Sequence, residues 1–145
     1  MKMSFKNFIS DSQISGDLVV GEKIFLNESI SDYLIQQGSF ATVIFLEMKF
    51  TNVDFSVSYF GNCIFKNCKF ENCQLQNCNI SKATFHDSTF LNCNFTEIEC
   101  IATVFDNIKF INTKFEKSDL FNSVVSSNKI WKSYQSTEDG SDLEN

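Results

Sequence analysis

Five cysteines recur at a spacing that invites a chemical reading: Cys63, Cys68, Cys73 and Cys78 stand five residues apart, and Cys93 falls in the same phase. Zinc is the first chemistry to weigh, since it takes cysteines in close pairs whose thiolates converge on one ion. A uniform run with one cysteine per five residues lays the thiols out along the chain instead, and core packing of cysteine as a small apolar filler competes directly with metal binding. Cys73 and Cys93, 20 residues apart, leave a disulfide open. His86 is the sole histidine, and the sequence has no Gly-rich phosphate loop and no Ser or Cys beside a base. Neither an enzymatic activity nor a metal or cofactor is therefore expected.

What must position these residues is a repeat of five. Every fifth residue from Phe40 to Ile130 gives 19 positions, which read 13 Phe, two Leu, two Ile, one Val and Cys100. Of the 17 Phe, Phe5 and Phe25 also share the phase, and only Phe8 and Phe121 do not. Two residues before each centre the side chain is small over Cys63, Cys68, Cys73, Cys78, Ala83, Ser88 and Cys93. A period of five matches neither the 3.6 of a helix nor the 2 of a continuous strand. It suits a chain that runs extended for three residues, points two side chains inward, and turns a corner with the other two. Phe45, Phe50, Phe55, Phe65, Phe70, Phe85, Phe90, Phe95, Phe105, Phe110 and Phe115 are then the expected core, with the five cysteines beside them. Asn is frequent two places after the centre, at Asn52, Asn62, Asn67, Asn72, Asn77, Asn92, Asn107, Asn112 and Asn122, and it tolerates the left-handed backbone a corner needs.

The units Asn-Cys-Ile-Phe-Lys, Asn-Cys-Lys-Phe-Glu, Asn-Cys-Gln-Leu-Gln and Asn-Cys-Asn-Ile-Ser, from Asn62 to Ser81, resemble those of the pentapeptide-repeat family, whose consensus is Ala-Asp/Asn-Leu-x-x with Leu or Phe at the centre. The resemblance runs over residues 38–130. It departs from the consensus just before the centre, where Ile44, Lys49, Tyr59, Ile64 and Lys69 replace the usual Asp or Asn. It implies an all-β fold, a right-handed quadrilateral β-helix with four repeats to the turn, about four to five coils, and short capping elements at both ends. Residues 20 apart would stack at a strand spacing of about 4.8 Å, placing Asn52, Asn72, Asn92 and Asn112 in one corner ladder.

The ends carry weaker signals. Residues 1–37 are expected to form an N-terminal cap, because the five-residue phase fails at Ser10 and Ser15. Within it Asp17 to Leu26 reads as an extended pair around Gly21, and Asn27 to Gln37 as a short helix opened by Ser29 and stopped by Gly38. The β-helix follows over residues 38–130. Residues 131–145 are expected to supply a C-terminal cap or helix and an acidic tail; Ile130, Trp131 and Tyr134 share one helical face that would cover the last coil or join two copies as a homodimer.

A length of 145 residues with 43% hydrophobic and 21% charged residues fits one globular domain. All 12 basic residues are Lys and the net charge is −6, which weighs against direct nucleic-acid binding, where Arg forks dominate. No run of 18 apolar residues occurs, so no membrane-spanning helix is expected. The first ten residues lack the apolar run of a secretory signal, so a cytoplasmic chain with reduced cysteines is expected.

Outward-pointing apolar residues are the remaining lead. Ile44, Ile64 and Val104 share a column just before the centre, interrupted by Thr84, while Ile101 and Phe121 share one just after it. These residues either reflect the β-branched preference of extended chain or form a protein-binding stripe. Family resemblance brings three roles into view: a bacterial immunity protein that binds and neutralises a protein toxin, a DNA-mimicking protector of gyrase, and a generic protein-binding scaffold. The span 40–130 holds nine acids and eight Lys, too balanced for a strongly acidic DNA mimic, and the toxin-binding role leads.

Overall fold

The computed structural model describes residues 4–12, 18–113, 115–118 and 123–125. It opens with one helix, α1 (Phe5–Ser12), and continues in short strands: β1 (Val19–Gly21), β2 (Ile24–Leu26), β3 (Ser29–Ser31), β4 (Ser39–Ala41), β5 (Ile44–Leu46), β6 (Lys49–Thr51), β7 (Ile64–Lys66), β8 (Lys69–Glu71), β9 (Thr84–His86), β10 (Thr89–Leu91), β11 (Val104–Asp106), β12 (Lys109–Ile111) and β13 (Val124–Val125). Every strand pairing is parallel and links residues 20 apart, such as Phe45↔Phe65 and Phe90↔Phe110. The chain is thus a four-sided β-helix of about five turns, each side five residues long.

Side one is centred on Val20, Phe40, Phe60, Ile80 and Cys100, and side two on Phe25, Phe45, Phe65, Phe85 and Phe105. Side three follows with Ile30, Phe50, Phe70, Phe90 and Phe110, and side four with Ile35, Phe55, Leu75, Phe95 and Phe115. All twenty centres are buried. Sides two and three hold continuous sheets, ordered β13-β11-β9-β7-β5-β2 and β12-β10-β8-β6-β3. Side one, beyond β1 and β4, and side four are joined by isolated bridges, such as Tyr59↔Asn79 and Gln74↔Asn94.

The rings pack in two ways at once. Along the axis they stack face to face, with centroids 4.7 Å apart for Phe45–Phe65, 4.6 Å for Phe65–Phe85 and 5.3 Å for Phe85–Phe105. Around the bore they meet edge to face across each corner, at 5.7 Å for Phe65–Phe70 and 5.5 Å for Phe85–Phe90. The edge-to-face contacts suit the ring quadrupole, while the near-parallel stacks follow the spacing of the strands that carry them. Beyond the first coil, the second inward position of each repeat takes side chains smaller than phenylalanine, from Ala83 and the cysteines up to Met48, Ile98 and Ile108.

Each corner turns through a left-handed residue. Positive φ recurs every fifth residue from Glu22 to Lys117, twenty positions of which nine are Asn. Asn amides also bond along the stack, Asn112 Nδ2 donating to Asn92 Oδ1 at 2.7 Å and Asn52 Nδ2 to Asp32 Oδ1 at 3.1 Å. Two β-branched residues sit at such corners, Thr42 at φ 55° and Val57 at φ 64°, and Val57, 53% exposed, has no polar side chain to bond its own turn.

The N-terminal third differs from the sequence expectation. The coil begins at Val19, a full turn before Gly38, with β1 paired to β4, β2 to β5 and β3 to β6. No helix spans Asn27 to Gln37; Ser29–Ser31 is a strand, with Ile30 and Ile35 buried as the next two centres. Ser29 and Gly38 resemble helix punctuation, but stacking Ile30 on Phe50 overrides that local signal. β1 and β2 do not pair with each other, because a left-handed corner at Glu22 sends them onto adjacent sides.

The cap is instead α1. Phe5 inserts into the open end and meets Phe25 at 4.9 Å, Phe45 at 5.5 Å and Phe40 at 5.9 Å. Glu28 occupies what deeper in the coil is the inward position of Met48 and Cys68, and its carboxylate accepts the first N–H groups of the helix, from Phe5 at 2.8 Å and Lys6 at 3.2 Å. That satisfies orphan donors and complements the positive end of the helix dipole. Tyr33, the equivalent residue of the next side, packs against the core and reaches Ser10 Oγ at 3.2 Å.

Two outcomes follow for chemical denaturation. Phe85→Ala removes a ring from mid-stack and should cost about 3–5 kcal/mol; a neutral result would refute the stacked bore. Val57→Asn should relieve the left-handed strain and stabilise the fold by about 1 kcal/mol, read as a higher midpoint at unchanged m-value.

Candidate interaction face

The cysteines take the small inward positions, and their thiols have a specific task. Cys63, Cys68, Cys73 and Cys93 donate to the carbonyl oxygens of Phe40, Phe45, Phe50 and Phe70 at 3.4–3.5 Å, and Cys78 to that of Phe55 at 3.0 Å. The hydroxyls of Ser58, Thr103 and Ser118 make the same bond, to Ile35 at 2.8 Å, Ile80 at 2.8 Å and Phe95 at 2.9 Å. Each bond reaches 23 residues back to a buried centre carbonyl. Cysteine, serine and threonine at this position share a hydrogen to donate, whereas Val43, Met48, Val53, Ala83, Ile98 and Ile108 fill the same position as buried apolar side chains.

Burial also keeps Cys63, Cys68 and Cys78 protonated. It raises the pKa of Cys63 and Cys68 to about 11 and that of Cys78 to about 12. In the Cys73–Cys93 pair their shared hydrogen bond acts first, holding the Cys73 thiol below its ordinary value and pushing Cys93, which burial raises as well, above it. Neutral buried thiols are poor nucleophiles and poor metal ligands. Among the described residues, no three of His, Cys, Asp and Glu gather where they could hold a metal ion, and no helix is long and apolar enough to cross a membrane.

The outward residues of side two are more informative. Ile44, Ile64 and Val104 do share one column, in register through Ile44↔Ile64, Ile64↔Thr84 and Val104↔Thr84. Ile24 extends it by one coil, since it pairs with Ile44. Ile24 is 59% and Ile64 38% exposed, while Ile44 and Val104 are partly covered. On the other edge of the same strands stand Leu26 and Leu46, adjacent in register. Ile24, Leu26, Ile44, Leu46 and Ile64 thus make one outward apolar patch over the first three coils. Its rim is mixed: exposed Glu22 and Lys23 at one corner, Glu47 at the other, and Lys66 directly after Leu46 in its column.

The same side changes character in its last two coils. His86 and Asp106 succeed Lys66 in the outer column, and His86 Nδ1 lies 3.1 Å from Asp106 Oδ2. His86 is therefore held by a carboxylate one coil away rather than standing alone on the surface. Asp87 occupies the adjoining corner and accepts from Asn107 Nδ2 at 2.7 Å.

Ile101 lies on side one, across the corner from Val104, and its N–H donates to Ser81 Oγ at 3.1 Å; it does not join the apolar patch. Phe121 and the expected helical face of Ile130, Trp131 and Tyr134 lie outside the described residues. Sequence reasoning missed Ile24, Leu26 and Leu46. Stacking by 20 from Ile44 would have found Ile24, whereas the leucines sit after the centre, where charged residues alternate with apolar ones. It also missed Tyr59 on side one, whose ring lies across Gly61: a Cβ at that glycine would come within 1.8 Å of the Tyr59 hydroxyl oxygen.

No side bears a continuous acidic column among the described residues. The nearest approach is the corner of Asn27, Glu47, Asn67, Asp87 and Asn107, where every other residue is a neutral amide.

A family described as Pentapeptide repeat region matches residues 63–133. No curated protein matches the chain. Among solved structures, the pentapeptide repeat protein Rfr23 from the cyanobacterium Cyanothece 51142 is 9% identical, covering 89% of this chain and 100% of its own, with TM-score 0.48. HetL, a pentapeptide repeat protein involved in heterocyst differentiation regulation in Nostoc sp. strain PCC 7120, is 7% identical over 97% of this chain and 99% of its own, at 0.38. QnrB1, a plasmid-mediated fluoroquinolone resistance protein, is 14% identical over 81% of this chain and 76% of its own, also at 0.38.

The raised thiol pKa values make a pH prediction. Below the ordinary thiol value of 9.0 both folded and unfolded chains keep the proton, so stability is unaffected by it. Between about 9 and 12 the unfolded chain releases protons that the folded chain retains, so stability should fall as pH rises through that window. Urea midpoints measured from pH 8 to 11 test this, and Cys78→Ser, which keeps a donor but loses the titration, should flatten the decline.

Proposed function

We propose that this chain, whose residues 63–133 match the pentapeptide-repeat family and whose backbone groups bond along its own stack, acts without catalysis by presenting side two to another protein. The observation that supports this reading is the outward patch of Ile24, Leu26, Ile44, Leu46 and Ile64 rimmed by Glu22, Lys23, Glu47 and Lys66. Aligned apolar residues have no role in the internal ladder, whose inward positions are already filled, and contiguous apolar surface on such a coil marks an interaction site.

The finer reading is a bacterial immunity protein that binds and neutralises a protein toxin in the cytoplasm. A net charge of −6 favours encounter with a basic partner through long-range steering. Gyrase protection by DNA mimicry needs a continuous acidic face, and the interrupted Asn27–Asn107 corner does not supply one. Affinity capture from the native host separates the two: a protein toxin recovered with the parent chain supports immunity, and gyrase overturns it. Leu46→Asp should leave the coil folded by circular dichroism and abolish capture of that partner; undiminished capture would remove side two from the interface.

A further inference from the structure

The polarity of side two goes beyond the presence of a patch and constrains what can lie on it. Three coils carry apolar outward residues with Lys23, Glu47 and Lys66. The next two, residues 83–87 and 103–107, carry Asp87 and Asp106 on the far edge, and the one lysine beside them, Lys82, stands across the side at the corner Glu22 holds in the first coil. The side is about 10 Å wide, three extended residues, and about 19 Å from its first strand to its fifth. Its flat area is a few hundred Å² at most, well short of the roughly 800 Å² per partner in a stable protein–protein interface. A second globular body resting on this side alone would be poorly held. An α-helix, about 10–12 Å across with its side chains, matches the width.

We propose that side two receives one amphipathic helix of the partner protein, lying along the coil axis, apolar where it covers Ile24 to Ile64 and basic where it passes Asp87 and Asp106. The proposal rests on the reading of side two as the interaction face. Leu46 and Asp106 are three coils apart, about 14 Å, or about nine residues of helix. The matching segment thus carries an apolar stripe over two turns and Lys or Arg two to three turns further on. Lys66, in the outer column between Leu46 and His86, would oppose a basic residue set directly beside the stripe, which fixes the register.

Two labelled 18-residue helical peptides test it, identical in their leucine stripe and differing only in lysines or glutamates clustered in one terminal third. Fluorescence anisotropy should show the lysine peptide binding at least about tenfold more tightly. Combining Asp87→Asn with Asp106→Asn should remove most of that preference. Leu46→Asp should abolish binding even though it adds a negative charge, which general attraction to an acidic protein would reward; Leu46→Gln serves if the Asp variant misfolds. Equal binding of the two peptides, binding of neither, or undiminished binding by the Leu46 variants overturns the helix proposal. Loss of the captured native partner by Leu46→Asp, with peptides that do not discriminate, overturns the helix alone, whereas retention of that partner overturns the underlying reading of side two.

Discussion

The in-register parallel stack is the constraint on which everything else depends. Residues 20 apart are locked about 4.8 Å from one another, so whatever sits at one level of a column must tolerate its own kind above and below. Phenylalanine satisfies this at the centres by stacking ring on ring while turning its edge to the next side, as Phe65 does with Phe85 and Phe70. Beside the rings, the second inward position is filled either by apolar side chains such as Val43, Met48 and Ile108 or by small donors that bond a centre carbonyl. The cysteine run that first suggests metal chemistry is one of these two solutions, packing and donating at once.

The same constraint explains which parts of the molecule could be read from sequence. The period, the inward Phe and Cys phases and the left-handed Asn corners each follow from single positions, because one residue type answers one geometric need. The start of the coil was harder. Val20, Ile30 and Ile35 continue the apolar phase without phenylalanine, and Ser29 with Gly38 imitates the punctuation of a helix; only pairing with the second coil decides between the two. Phe5 shares the phase by number yet sits on α1, filling the bore from above rather than from within.

The outward surface was legible in columns but not in area. Ile44, Ile64 and Val104 stood out because three β-branched residues repeat at one offset. Leu26 and Leu46 did not, because their column turns to Lys66, His86 and Asp106 further along. That a patch exists depends on two columns flanking the same strand, which is a property of the sheet and not of either column alone.

The corner geometry also limits how such a chain can change in length. Adding one residue between Asn67 and Cys68 would move every later phenylalanine out of the bore. Adding five would keep the bore filled yet carry His86, Asp87 and Asp106 a quarter-turn round the axis, away from the isoleucines they now follow. Only a full set of twenty would leave both the interior and the lengthwise order of side two intact, so this surface can be lengthened by whole coils but not adjusted by less.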